Sequence, residues 1–172
     1  TGAAAIFGVT GGVMEAALRT VVEKLCNEPL ETLDFEQARG IENGIKEASL
    51  TIHGKEINVA VVHGTSNVPE MMEKIKRNEK EYHFIEIMGC TGGCINGGGQ
   101  PIVPAHIAEN IDIRALRAKA LYSIDKDAKI RQSHNNPEIQ KLYDEFLLKP
   151  NSKKAHELLH TSYEAKRLYT LS

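Results

Sequence analysis

The chain has 172 residues, with 21 Lys and Arg against 23 Asp and Glu, 41% hydrophobic and 26% charged residues. That length and balance predict one soluble domain able to close a core, and they exclude a disordered segment. A formal charge of −2 supplies no long-range attraction for phosphate backbones or anionic lipid, which excludes a basic nucleic-acid binder and a membrane-surface protein. The longest apolar stretches, residues 3–7 and 59–62, fall far short of the ~20 residues a membrane helix needs. With no charged-then-apolar leader before them, the expectation is a cytoplasmic protein. Three cysteines are too few, and odd, for a secreted disulfide scaffold, so the thiols read as reduced and available for packing or metal.

In chain order, Thr1 and Gly2 lead straight into the apolar run 3–7, which predicts that the sequence is an excerpt of a longer chain. That run reads as a strand. It ends in Gly8-Val9-Thr10-Gly11-Gly12, after which Val13, Met14, Ala17, Leu18, Val21, Val22 and Leu25 recur at helical spacing. Asn27-Glu28-Pro29 stops that helix, and Asn43-Gly44 is a turn. Residues 45–53 and 56–63 read as two strands joined at His53-Gly54-Lys55. Ser66 or Asn67 can cap a helix over 69–77, with acidic residues at its start and basic ones at its end. Residues 83–88 form the next strand and feed the densest glycine segment of the chain. Beyond residue 105 the pattern changes to helices over 111–128, 137–149 and 152–169, the last capped by Ser152. The fold class is therefore α/β: an α/β body over 1–105 followed by a helical tail over 106–172.

The strongest chemical signal is Met88-Gly89-Cys90-Thr91-Gly92-Gly93-Cys94-Ile95-Asn96-Gly97-Gly98-Gly99-Gln100-Pro101. Two thiols four residues apart, set among glycines that permit positive φ and close approach of backbone N–H groups, can converge on one anionic metal centre. The alternative is a pair of buried structural cysteines. Zinc and a 4Fe–4S cubane each want four ligands, and Cys26, at the close of a helix, reads as a buried inert thiol. Two ligands complete neither site, so the others must come from absent chain or another subunit. The Gly8 to Gly12 turn lacks the spacing of a phosphate-binding loop and reads as a tight turn. His156-Glu157-Leu158-Leu159-His160 fits H-E-x-x-H formally, with Glu157 as the would-be base. Its place on a charged C-terminal helix favours a solvated or capping pair.

Read together, residues 6–19 and 84–101 closely resemble the catalytic domain of iron-only, or [FeFe], hydrogenases. The likeness extends through Arg131-Gln132-Ser133-His134-Asn135-Asn136-Pro137 to residues 153–163, where it makes the H-E-x-x-H segment part of a structural tail. The resemblance implies the C-terminal part of that domain, a strand-helix lobe followed by a helical tail. It implies an active cofactor, the H-cluster, in which a 4Fe–4S cubane is joined through a cysteine sulfur to a two-iron unit. By motif position Cys90 is then a cubane ligand, Cys94 is the linking cysteine, Met88 packs beside the two-iron unit, and Phe7 and Gly8 line the opposite wall. No catalytic residue is assigned within the chain. The resemblance also implies reversible reduction of protons to dihydrogen in the parent, with electrons from ferredoxin or a redox partner subunit. The other cluster cysteines belong to the missing N-terminal part of the domain. The isolated chain is accordingly expected to lack an intact H-cluster and to be inactive, with the Cys90 to Gln100 loop either mobile or paired with another chain by self-association. A non-catalytic iron–sulfur or cluster-assembly protein of the hydrogenase-like family is the alternative.

Overall fold

The structure is a computed structural model that describes residues 1–26, 34–35, 39, 44–52 and 54–165. It falls into two compact units, Thr1–His134 and Asn135–Ser172.

The first unit is built around a three-stranded sheet in the order β1-β2-β3, with β1 at Gly44–Ile52, β2 at Lys55–His63 and β3 at Phe84–Met88. β1 and β2 form the antiparallel hairpin that their apolar patterns predict, in register from Gly44 opposite His63 to Ile52 opposite Lys55. His53 itself lies outside the described residues. β3 runs parallel to β2, which requires a crossover, and helix α3 over Val68–Lys76 supplies it. Asn67 precedes this helix as predicted, but its side chain makes no capping bond to it, and Pro69 in the first turn costs no intrahelical hydrogen bond.

β2 is buried on both faces, and its two-residue period sorts its side chains between two helices. Val59 and Val61 pack with Met14 and Leu18 of helix α2, Gly12–Cys26. Ala60 and Val62 pack with Met71 of α3. A third cluster joins Val9 and Ile95, one from each glycine-rich segment, to Ala118 of helix α5, Ile113–Asp127, which follows the short helix α4, Ala105–Ala108. Asp112 caps α5 by accepting a hydrogen bond from the Ala115 N–H at 3.0 Å.

The structure corrects the reading of residues 3–7 as a strand. Helix α1 spans Gly2–Ala5, and a 3₁₀ turn spans Ile6–Gly8. A five-residue apolar run does not distinguish a strand from a buried helical turn, and three consecutive alanines favour the helix. Tertiary contacts complete the choice: Gly2 and Ala3 donate their N–H groups to the carbonyls of Ile130 and Arg131 at 2.8 and 3.1 Å. A Cβ on Gly2 would fall 2.2 Å from Asp125 Oδ1, so the segment is seated directly on the end of α5.

Underneath lies a buried charge network. Arg19, fully buried, donates to both carboxylate oxygens of Asp125 at 2.7 and 2.8 Å and to Glu15 at 2.8 Å. Arg39 reaches Glu15 at 2.7 and 2.9 Å, and Arg131 reaches Asp125 at 2.7 Å. Alternating signs in this cluster offset the cost of removing each charge from water. Burial pushes the Asp125 carboxyl up, but the guanidinium groups of Arg19 and Arg131 outweigh it and hold the carboxyl below the usual range.

In the second unit, α6 over Pro137–Leu142 starts at an Asn136 cap and passes into a π-helical turn, Tyr143–Leu147. The helix predicted to Lys149 therefore stops earlier, at Leu148 with φ of +73°. Ser152 caps α7 as predicted, accepting from the Ala155 N–H at 3.0 Å. α7 ends at Leu159 rather than continuing toward Tyr169; residues 160–165 are not helical, and 166–169 lie outside the described residues.

Candidate metal centre

β3 delivers the chain into the cysteine turn. The Gly64 N–H donates to the carbonyl of Met88 at 2.8 Å, fixing the strand's end, and residues 89–93 then turn back on themselves. Gly92 and Gly93 have φ of +85° and +91°, a region that residues with a Cβ rarely adopt. The Gly93 N–H donates to the Cys90 carbonyl at 2.9 Å, and Cys94 opens a 3₁₀ turn, Cys94–Asn96. Both Cys90 and Cys94 are exposed free thiols. They lie on one turn, four residues apart, while the side chain of Cys26 lies outside the described residues.

The other glycine-rich segment lies against this turn. The Thr10 N–H donates to the Gly92 carbonyl at 3.2 Å. A Cβ on Gly93 would come within 2.7 Å of the Gly8 carbonyl oxygen and 2.9 Å of the Thr10 nitrogen, so this approach is open to glycine alone. Phe7, 46% exposed, and the half-buried Gly8 stand on this second segment; the half-buried Met88 stands at the end of β3.

Three supports were not singled out in the sequence. Arg117 of α5 donates to the Ile95 carbonyl at 2.8 Å and the Pro101 carbonyl at 3.0 Å, clamping the exit of the cysteine turn. Thr10 is fully buried where the two segments meet. Glu86, the buried residue of β3, accepts from the Gly11 N–H through Oε1 and from the Met14 N–H through Oε2, each at 2.7 Å. Burial raises its carboxyl pKa, and these two bonds only partly oppose the shift. Local periodicity carries no sign of these contacts; the only hint for Glu86 is an acidic residue inside an otherwise apolar strand.

Among the described residues no group of three or more His, Cys, Asp and Glu side chains could hold a metal ion. The H-E-x-x-H segment falls in the second unit, where the His156 and His160 rings lie 4.4 Å apart, tilted by 33°, on exposed residues. No helix among the described residues is long and apolar enough to cross a membrane.

Comparison with known proteins places this geometry in a family. Residues 1–98 match the C-terminal domain of the iron only hydrogenase large subunit, and residues 111–166 match the iron hydrogenase small subunit. Iron hydrogenase 1 of Clostridium pasteurianum is 48% identical over 164 residues, covering 95% of this chain and 28% of that protein. The nuclear prelamin A recognition factor of Homo sapiens is 30% identical over 162 residues, covering 94% of this chain and 34% of that protein. An [FeFe]-hydrogenase structure from Chlamydomonas reinhardtii is 38% identical with a TM-score of 0.70, covering 91% of this chain and 45% of that one. The chain thus spans about a third or less of these two curated relatives. With the first 98 residues matched to the large-subunit domain and the fold shared with [FeFe]-hydrogenase structures, the chain belongs to the iron-only hydrogenase family.

Proposed function

We propose that this chain forms one wall of an active site at which the parent protein reversibly reduces protons to dihydrogen. Cys90 and Cys94 are the iron ligands it contributes, with Cys94 linking the cubane and two-iron parts of the H-cluster. Phe7, Gly8 and Met88 line the pocket. The observation that carries this reading is the pair of free thiols on a turn that closes against the Gly8 to Thr10 segment, in a chain of this family.

The donor set fits an iron–sulfur group in part. Thiolates are the ligands that iron–sulfur clusters take, and two of the four that a cubane needs are present here. The remaining ligands come from the rest of the parent. When bound, the cluster supplies the redox centre at which electrons meet protons. This chain's own work is to hold two sulfurs on a fixed turn, to keep water from one side with Phe7 and Met88, and to bring glycine backbone close to anionic ligands. Electrons arrive from ferredoxin or a redox partner subunit, and the reaction takes place in the cytoplasm.

Serine replacement of either cysteine in the full-length parent tests the assignment. Cys90→Ser and Cys94→Ser should each lower bound iron and abolish dihydrogen formation, with Cys94→Ser removing the two-iron part. Full iron content and activity in either variant would overturn it. Iron and sulfide analysis of the anaerobically reconstituted 172-residue chain should give less than a full cubane per monomer and no dihydrogen.

The non-catalytic alternative draws on relatives such as cytosolic iron–sulfur assembly component 3 of Rattus norvegicus, 29% identical over 159 residues. The 48% identity to a hydrogenase favours the catalytic reading. A parent that binds a cubane yet forms no dihydrogen would reverse that preference.

A further inference from the structure

Helix α2 begins without a capping side chain of its own, because the residue before it is Gly11. In an ordinary capping box, a Ser or Thr at that place and a Glu or Gln three residues on satisfy the first backbone N–H groups. Here Met14 occupies the later place, and both N–H groups are satisfied from 72 and 75 residues away by one carboxylate, Glu86. Glu86 is only 6% exposed and sits at the middle of β3, opposite Val61, two residues before Met88 and four before Cys90. One side chain therefore ties the strand that leads into the cysteine turn to the segment that carries Phe7 and Gly8. The next bond along, Thr10 N–H to the Gly92 carbonyl, joins the same two segments on the side of the cysteines.

We propose that Glu86 is a positioning residue for the cluster site: its bidentate carboxylate sets the spacing between the Phe7 and Gly8 wall and the Cys90 and Cys94 turn. The proposal rests on the reading of these five residues as the cofactor wall. It requires a carboxylate of glutamate length. A glutamine turns its NH₂ toward one of the two N–H groups and loses that bond, while an aspartate is one methylene too short to span both amides.

The test has an arm that needs no iron. In the 172-residue chain, Glu86→Gln should speed amide hydrogen exchange more than tenfold at Gly11 or Met14, and also at Thr10, where Glu86 makes no contact. Glu86→Asp, which keeps the charge should the glutamine variant fail to fold, should do the same. Faster exchange at Gly11 and Met14 with Thr10 unchanged would overturn the proposal, leaving Glu86 a helix cap alone. In the second arm the full-length parent carries the same substitutions. The resemblance implies carbon monoxide and cyanide on the two-iron unit, and their infrared bands should shift at unchanged iron content. Unshifted bands with fast Thr10 exchange would also overturn it. An unmodified parent that binds no cluster would sink the cofactor reading, and with it the positioning role, while the Thr10 result would still decide whether Glu86 couples the two segments.

Discussion

Replacing Arg19 with methionine removes the centre of the buried network while keeping an unbranched apolar stem in its place. The bonds that disappear include two to Asp125, one to Glu15 and one, at 3.1 Å, to the Arg131 carbonyl. Removing one partner of a buried ion pair costs about 3–5 kcal/mol, chiefly because the other charge is left without compensation. Neither carboxylate is stranded entirely, since Arg131 still holds Asp125 and Arg39 still holds Glu15. The loss should therefore fall near the lower limit, about 3 kcal/mol. In a chain of this size each kcal/mol moves the melting temperature by about 2–4 °C, so Arg19→Met should melt about 6–12 °C lower. Scanning calorimetry of the unmodified and variant chains at pH 7 measures the difference. Arg19→Lys should recover only part of it, because one ammonium cannot reproduce the planar fork that meets Asp125 and Glu15 together. A fall below 2 °C for Arg19→Met would refute the claim that this network supports the first unit.

The pH response follows from the same cluster. Asp125 is held below its ordinary value of 3.8, so its contribution to stability is present above that value and is lost as pH falls through the depressed folded one. Asp125→Asn should melt lower than the unmodified chain at pH 7, with the gap closing below about pH 4. A gap that stays constant from pH 7 to pH 2.5 would contradict the assignment. Glu86 acts in the opposite sense: its raised carboxyl favours the fold at low pH, and that contribution is lost as pH rises from 4.5 through the folded value. In the second unit, Ser152 accepts from the Ala155 N–H and donates to the Leu147 carbonyl at 2.6 Å. Ser152→Ala should cost about 1 kcal/mol locally, seen as faster amide exchange across α7 with the melting of the first unit unchanged. Unchanged exchange in α7 would contradict it.

Much of the architecture was legible because it is written locally. The alternation in β1 and β2, the apolar run of β3, the helical spacing in α2 and α5, and the Asn136-Pro137 and Ser152 starts each express a periodicity or a cap within a few residues. The cysteine turn was legible for a different reason: glycines at this density around two thiols have few other uses, and Gly92 and Gly93 do take up positive φ. The failure at residues 3–7 has the same root, since an apolar run too short to show a period is settled by whatever carbonyls and side chains the fold brings to it. In this case they are those of Ile130, Arg131 and Asp125.

Local pattern was enough to mark the strands and the longer helices and to show two thiols on one glycine-rich turn. How these pieces are held together is set by contacts between distant parts of the chain. Glu86 meets Gly11 across 75 residues and Arg19 meets Asp125 across 106. No window of sequence contains either pair. A buried carboxylate is costly until its partners arrive, so its position along the chain reveals nothing until folding brings the backbone N–H groups or the guanidinium to it.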